Sequence, residues 1–269
     1  MTTEPRNFNV LGVPVTAGTY DACVDAIIDA ASSRRSFAVT ALAVHGLVTA
    51  WLDKTLLFRL SRFALVTPDG QPVRWALRAL YGVGLPDRVY GPELTLRVCR
   101  TAAERGLPVY LYGSTTEVLD RLVVALQDRF PALQIAGYES SKFRRTTSEE
   151  KAAIVDRIER SGARITFVGL GCPRQEVFTY EYHQCLGMPV IAVGAAFDYH
   201  SGLLRQPPIW MQRSGLQWLY RLLQEPRRLF WRYFFYNSLF LFLLVLQVLK
   251  IWRPELGGGT PPEADVLYG

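Results

Sequence analysis

Short apolar runs rich in β-branched residues alternate along this chain with stretches whose apolar positions recur at helical spacing. Phe8 to Val15 reads as a strand pair around Gly12-Val-Pro14. Thr19 is placed to cap a helix over Tyr20–Ala31, with Ala22, Val24, Ala26, Ile27, Ala30 and Ala31 on its apolar face. The pattern predicts strands over Ser36–Val44, Ala64–Thr67, Pro108–Tyr112, Leu133–Ser140, Ile165–Leu170 and Pro189–Ala195. Between them it predicts helices over His45–Phe63, Pro72–Tyr81 and Gly91–Arg105, a helix from about Thr116 to Phe130, and one over Ser148–Ser161 without a full capping box. Strands alternating with helices predict an α/β fold, a parallel sheet covered on both faces.

After Gly202 the character changes. Gln206-Pro-Pro-Ile-Trp210 reads as a break, Ser214–Leu223 as a helix, Glu225-Pro226 as an interruption and Arg227–Trp252 as a second helix. Tyr233 to Leu249 carries no charge over about the length of a minimal membrane span, flanked by Arg232 and Lys250. Three placements fit it: a single C-terminal span, a helix lying in the membrane interface, or a face packed on the globular part or on a second copy in a homo-oligomer. Gly257-Gly-Gly-Thr-Pro-Pro opens a stretch whose composition predicts disorder. The organisation expected is therefore a core over 1–202, a helical appendage over 203–253 and a disordered tail over 254–269.

Charge sharpens that division. Leu203 to Arg253 holds eight basic residues against Glu225 alone, so its net +7 exceeds the +6 of the whole chain. Leucines and aromatics mixed into the basic stretch favour an anionic membrane over nucleic acid as its partner. Cys23, Cys99, Cys172 and Cys185 form no CxxC pair, and free thiols in a reducing cytosol are the simplest account. The start, MTTEPRNFNV, has no apolar signal region, which argues against secretion. Three scattered histidines argue against a zinc site, and His45 and His200 read as structural.

The strand at Ile165 feeds Gly169-Leu-Gly171 and then Pro173, Arg174, Gln175 and Glu176, where a helix begins. A strand, a glycine turn and a helix N-terminus are the α/β means of building a ligand site, although an ordinary strand-turn-helix reads the same. The run is neither GxGxxG nor a Walker loop, which disfavours a dinucleotide oxidoreductase. Asp69 ends a short strand before a glycine, where a carboxylate can act as a general base; Pro-Asp-Gly is also a common turn. Asp198 follows a strand and can position substrate or cap a turn. Gly113 and Ser114 can offer amides and a hydroxyl to phosphate or sugar. Arg88 can pair with a diphosphate or be a solvated charge. Gln175 and Glu176 can hydrogen-bond a nucleotide or sugar, and Thr40 lies inside a strand. No local pair of carboxylates has metal-site spacing, and no cofactor is expected.

Together, Thr40, Thr67-Pro-Asp-Gly70, Arg88-Val-Tyr-Gly91, Tyr112-Gly-Ser114, Gly169-Leu-Gly-Cys-Pro-Arg-Gln-Glu176, Val193-Gly-Ala-Ala-Phe-Asp-Tyr-His-Ser-Gly202 and the Arg213–Arg228 run resemble the WecG/TagA/CpsF family, glycosyltransferase family 26. The resemblance runs from about Phe8 to Trp252. It implies a Rossmann-like domain with an appendage. It also implies a metal-independent, inverting transfer of a sugar from a UDP-sugar to a polyprenyl-diphosphate-linked saccharide at the cytoplasmic face of the inner membrane, in cell-surface or exopolysaccharide synthesis. By the same resemblance Asp69 is the base, Thr40, Gln175 and Asp198 fall at site positions, and Arg221, Arg228 and Arg232 match the appendage arginines that reach the site. Two positions depart: Leu42 stands where the family usually has Asn, and Gln217 where it usually has Glu. Leu42 cannot make an amide's hydrogen bonds, so glucose, glucuronate, galactose and mannose all stay open as donor sugar. It also motivates a rival reading, a non-catalytic membrane-associated scaffold of a polysaccharide assembly complex, which intact Asp69, Gln175 and Asp198 oppose.

Overall fold

The computed structural model of the protein describes residues 4–269, apart from the side chains of Ile209, Arg213 and Arg228. Strands β1 (Arg6–Val10) and β2 (Val13–Ala17) form an antiparallel hairpin. Strands β3 (Phe37–Leu42), β4 (Leu65–Pro68), β5 (Val109–Gly113), β6 (Ile135–Glu139), β7 (Ile165–Gly169) and β8 (Pro189–Ala192) form one sheet in the order β4-β3-β8-β7-β5-β6. Each neighbouring pair is parallel. The α/β architecture that the alternating pattern predicts is thus observed.

Helices α1 (Tyr20–Ser32), α5 (Gly91–Arg105), α6 (Thr116–Arg129) and the short α9 (Ala196–His200) close one apolar layer. On the other side lie α2 (Val44–Leu52), α3 (Lys54–Leu60), α4 (Gln71–Tyr81), α7 (Ser148–Arg160), α8 (Arg174–His183) and the β1–β2 hairpin. Strands β5 and β8 are buried along their whole length, as strands covered on both faces must be. Their runs of Val, Ile, Leu and Tyr therefore show no alternation.

Four details differ from the sequence reading. The single helix expected over His45–Phe63 is two, because Asp53 leaves helical geometry (φ −110°, ψ 103°). Its carboxylate restarts α3 by accepting from the amides of Thr55 at 2.9 Å and Leu56 at 3.1 Å. Helix α7 is capped one residue earlier than the pattern suggested. Thr147 and Glu150 make a full capping box there, the hydroxyl accepting from one amide and the carboxylate from the other. The helix expected over Ser214–Leu223 begins only at Gln217, as α11 (Gln217–Gln224), after Gly215 with φ 78°, and a short α10 (Ile209–Arg213) starts within the break expected over Gln206–Trp210.

The fourth is the stretch 254–269, which is folded onto the body rather than disordered. Gly257 N–H donates to the Gly12 carbonyl at 2.8 Å and Thr260 N–H to that of Lys54 at 3.0 Å. Further on, the buried Glu181 carboxylate accepts from Val266 N–H at 2.7 Å and Leu267 N–H at 2.9 Å. Composition predicted too few apolar groups for order here; buried acceptors on the body supply the missing partners.

Helix α12 (Pro226–Val248) follows α11. Its stretch Leu229–Val248 is long and apolar enough to cross a membrane. It lies along α2 and α4, with Leu229, Phe240 and Leu243 buried and the Tyr236 ring 4.5 Å from His45. Near its end, Gln247 Nε2 donates to the Asn9 carbonyl at 2.8 Å while its Oε1 accepts from Leu11 N–H at 3.1 Å. Phe230, Trp231, Phe234, Phe235, Leu241 and Phe242 face outward.

Candidate active site

A cavity of about 1170 Å³ opens above the carboxyl ends of the sheet strands, walled on one side by α11 and α12. This is where a parallel sheet presents loops and helix N-termini to a ligand. Asp69, directly after β4, lines it. Its amide donates to the Leu42 carbonyl at 3.2 Å, and its Oδ1 accepts from Gly91 N–H at 2.7 Å, at the first residue of α5. Gly91 is confined to glycine, since a Cβ there would stand 2.9 Å from the Val193 carbonyl oxygen. Loss of solvent raises the Asp69 carboxyl above its ordinary pKa; the Arg88 guanidinium, the Gly91 amide and the Arg221 guanidinium pull it back in that order.

Two arginines therefore converge on the carboxylate from different parts of the chain. Arg88 is buried, with its guanidinium 4.4 Å from the centre of the Tyr90 ring. Arg221 comes from α11, 6.0 Å from the Tyr199 ring centre, and its Nε has no hydrogen-bond partner among the described residues. The appendage is held in place by Gln217, whose Nε2 donates to the Tyr90 hydroxyl at 2.6 Å. Arg232 also lines the cavity. It adds to burial in pushing neighbouring His45 down to about 4, so that imidazole is neutral near pH 7. The Arg228 side chain lies outside the described residues.

The floor is tied to itself. Glu176 is fully buried, and its Oε1 accepts from Thr40 Oγ1 at 3.0 Å and Gln175 Nε2 at 2.9 Å. Gln175 Oε1 in turn accepts from Gly194 N–H at 3.0 Å. Burial raises the Glu176 carboxyl, while Gln175, its own amide, Thr40 and Cys172 hold it back. Thr40 lies beneath the cavity wall and braces Glu176, whereas Gln175 and Glu176 border the cavity. Leu42 is buried and also borders it, packed so close to Gly46 that a Cβ there would overlap its side chain.

At the far edge, Ser114 lines the cavity in the left-handed region (φ 55°), its amide donating to the Gly169 carbonyl at 2.9 Å. Gly113 does not border the cavity. It lies against β7, where a Cβ would come 2.7 Å from the Gly169 oxygen, so its role is close strand approach. Asp198, in α9, lines the cavity and its carbonyl accepts from Leu204 N–H at 3.0 Å. Asp69, Arg88, Ser114, Gln175, Glu176, Asp198, Arg221 and Arg232 are thus gathered around one space, with Thr40 and Gly113 behind it. Sequence reasoning had assigned no role to Tyr90, Tyr199 or Tyr268, which also line it. Tyr90 had a signal, its place between Arg88 and the glycine that opens α5; Tyr268 had none.

The sequence profile of the glycosyl transferase WecG/TagA/CpsF family matches residues 8–254. An N-acetylglucosaminyldiphosphoundecaprenol N-acetyl-beta-D-mannosaminyltransferase of Bacillus subtilis is 30% identical over 170 residues, 63% of this chain and 64% of that protein. One of the same name from Bacillus spizizenii is 30% identical over 174 residues, 64% of this chain and 65% of that protein. The matched stretch thus spans somewhat less than two thirds of either relative's length. With the profile matching nearly the whole chain and the cavity built from the motifs themselves, this protein belongs to the WecG/TagA/CpsF family of glycosyltransferases.

Proposed function

We propose that the cavity transfers a sugar from a UDP-sugar to a polyprenyl-diphosphate-linked saccharide, with inversion at the anomeric carbon and Asp69 as general base. The observation that carries the reading is the Asp69 carboxyl itself. It lies at a strand's carboxyl end, is fixed through one oxygen by Gly91 N–H, is raised in pKa by burial and is faced by two arginines. With Oδ1 engaged, Oδ2 takes the proton of the acceptor hydroxyl. The acceptor oxygen then forms its bond to C1 as the bond from C1 to the β-phosphate oxygen breaks, and UDP departs with that electron pair. A raised pKa makes the carboxylate a stronger base, and the guanidinium groups of Arg88 and Arg221 offset the negative charge growing on the leaving diphosphate.

Helix α12 supplies the route of the acceptor. Its outward aromatic face adjoins the cavity through Tyr233, Tyr236 and Phe240, and the basic residues of the appendage favour anionic lipid. The protein then works as a peripheral enzyme on the cytoplasmic face of the inner membrane, with its lipid-anchored acceptor arriving in the plane of the surface.

The test is UDP release in detergent micelles with a synthetic lipid-diphosphate-sugar acceptor across a panel of UDP-sugars. One donor is expected to turn over, and Asp69→Asn to lower that rate about a thousandfold, within the range for loss of a general base. An Asp69→Asn variant that turns over like wild type refutes the assignment.

A further inference from the structure

The family match ends at residue 254, yet the next fifteen residues return to the cavity. Glu181 receives two successive amides of this strap, from Val266 and Leu267. The Thr146 amide and hydroxyl both donate to the Leu267 carbonyl, at 2.7 and 3.0 Å. Leu267 has φ 58°, a left-handed conformation that a leucine holds only where its neighbours fix it. Beyond it, Ser141 Oγ donates to the Gly269 carbonyl at 2.7 Å, and Ser141 N–H donates to the Ser114 carbonyl at 3.0 Å. The strap is therefore joined to the loops that follow β5 and β6, and it sets the Tyr268 ring on the cavity wall with the Arg174 guanidinium 5.7 Å from its centre.

The two ends of the cavity differ in kind. Asp69, α4 and α12 stand at the β4 edge of the sheet, beside the outward aromatic face of α12. Ser114 and Ser141, which follow β5 and β6, stand toward the opposite edge, with the Gly269 end of the strap bonded to Ser141. A donor whose sugar reacts at Asp69 with an acceptor arriving along α12 directs its remaining end toward the strap. We propose that residues 266–269 build the nucleobase end of the donor site, with the Tyr268 ring as the surface on which the pyrimidine of the nucleoside diphosphate stacks. This rests on the donor being a UDP-sugar, as proposed above. It also makes donor binding depend on a segment outside the family's common core.

Calorimetric titration of the full chain with UDP and, separately, with inorganic pyrophosphate tests it. Tyr268→Ala is expected to weaken UDP about tenfold, in the range for lost base–aromatic stacking, and to leave pyrophosphate unchanged. Tyr268→Phe keeps the ring and is expected to keep UDP affinity. Unchanged UDP affinity in Tyr268→Ala, an equal loss in Tyr268→Phe, or an equal loss for pyrophosphate each overturns the stacking assignment while leaving the transferase reading intact. A wild-type chain that binds no UDP overturns the transferase reading and this inference with it.

Discussion

Helices α8 and α12 border the same cavity and invert the usual rule of what belongs inside. Helix α8 is rich in polar residues, yet Gln175, Glu176, Thr179 and Glu181 are all buried. Helix α12 is overwhelmingly apolar, yet Trp231 is 71% and Phe234 62% exposed. The difference lies in partners. The inward carboxyls of α8 meet partners: Glu176 Oε1 accepts from Thr40 and Gln175, and Glu181 accepts from the amides of Val266 and Leu267. The outward rings Phe230, Trp231 and Phe234 of α12 touch one another and stay exposed, and a contiguous aromatic face of that kind marks a surface for another phase or partner.

The comparison can be broken most severely at Glu181. It lies 3.7 Å from Arg59, with both side chains inside the protein. Glu181→Ala is expected to cost about 3–5 kcal/mol in denaturant unfolding, because it strands a buried guanidinium and releases the strap amides. A loss under about 1 kcal/mol would show that neither group depends on the other.

On α12 the expected pattern is the reverse. Trp231→Ser with Phe234→Ser should leave unfolding stability within about 0.5 kcal/mol per site while lowering sedimentation with anionic vesicles at least about tenfold. Equal vesicle binding by this double variant would assign the aromatic face to a contact between protein surfaces instead.

The smallest effect concerns Glu176 and reads out through pH. Its folded pKa lies above the unfolded value, so its contribution to stability is whole below the unfolded pKa and is lost as pH rises through the folded one. Glu176→Gln keeps an acceptor for Thr40 and removes the titration. Its melting temperature should gain on wild type as pH is raised, and parallel curves for the two proteins would contradict this sign.

Much of the fold was legible because its signals are local. Thr19 caps α1 by accepting from Ala22 N–H at 3.3 Å, and the apolar runs are the buried strands. Thr147 was misread by one residue because a capping box depends on which residue stops being helical, a matter of one backbone dihedral. Asp53 broke a helix whose apolar spacing runs on through it. The cavity was legible as a set of strand ends, but the division of labour within it was not. Only packing shows that Thr40 braces Glu176 from below and that Gly113 serves strand approach. The strap was illegible because its order comes from hydrogen-bond donors more than a hundred residues away, such as Thr146 and Ser141.

If the protein works at a membrane surface as proposed, the amide of Gln247 bears on how long it stays on any one membrane. To thread α12 through a bilayer, the chain would have to withdraw that side chain from Asn9 and Leu11 and pull Phe240 and Leu243 from their pockets, leaving an amide in hydrocarbon. A helix moored in this way adheres by one face and lets go by that same face. The enzyme would then be a visitor that exchanges between patches of membrane, with residence set by lipid charge and salt rather than by insertion.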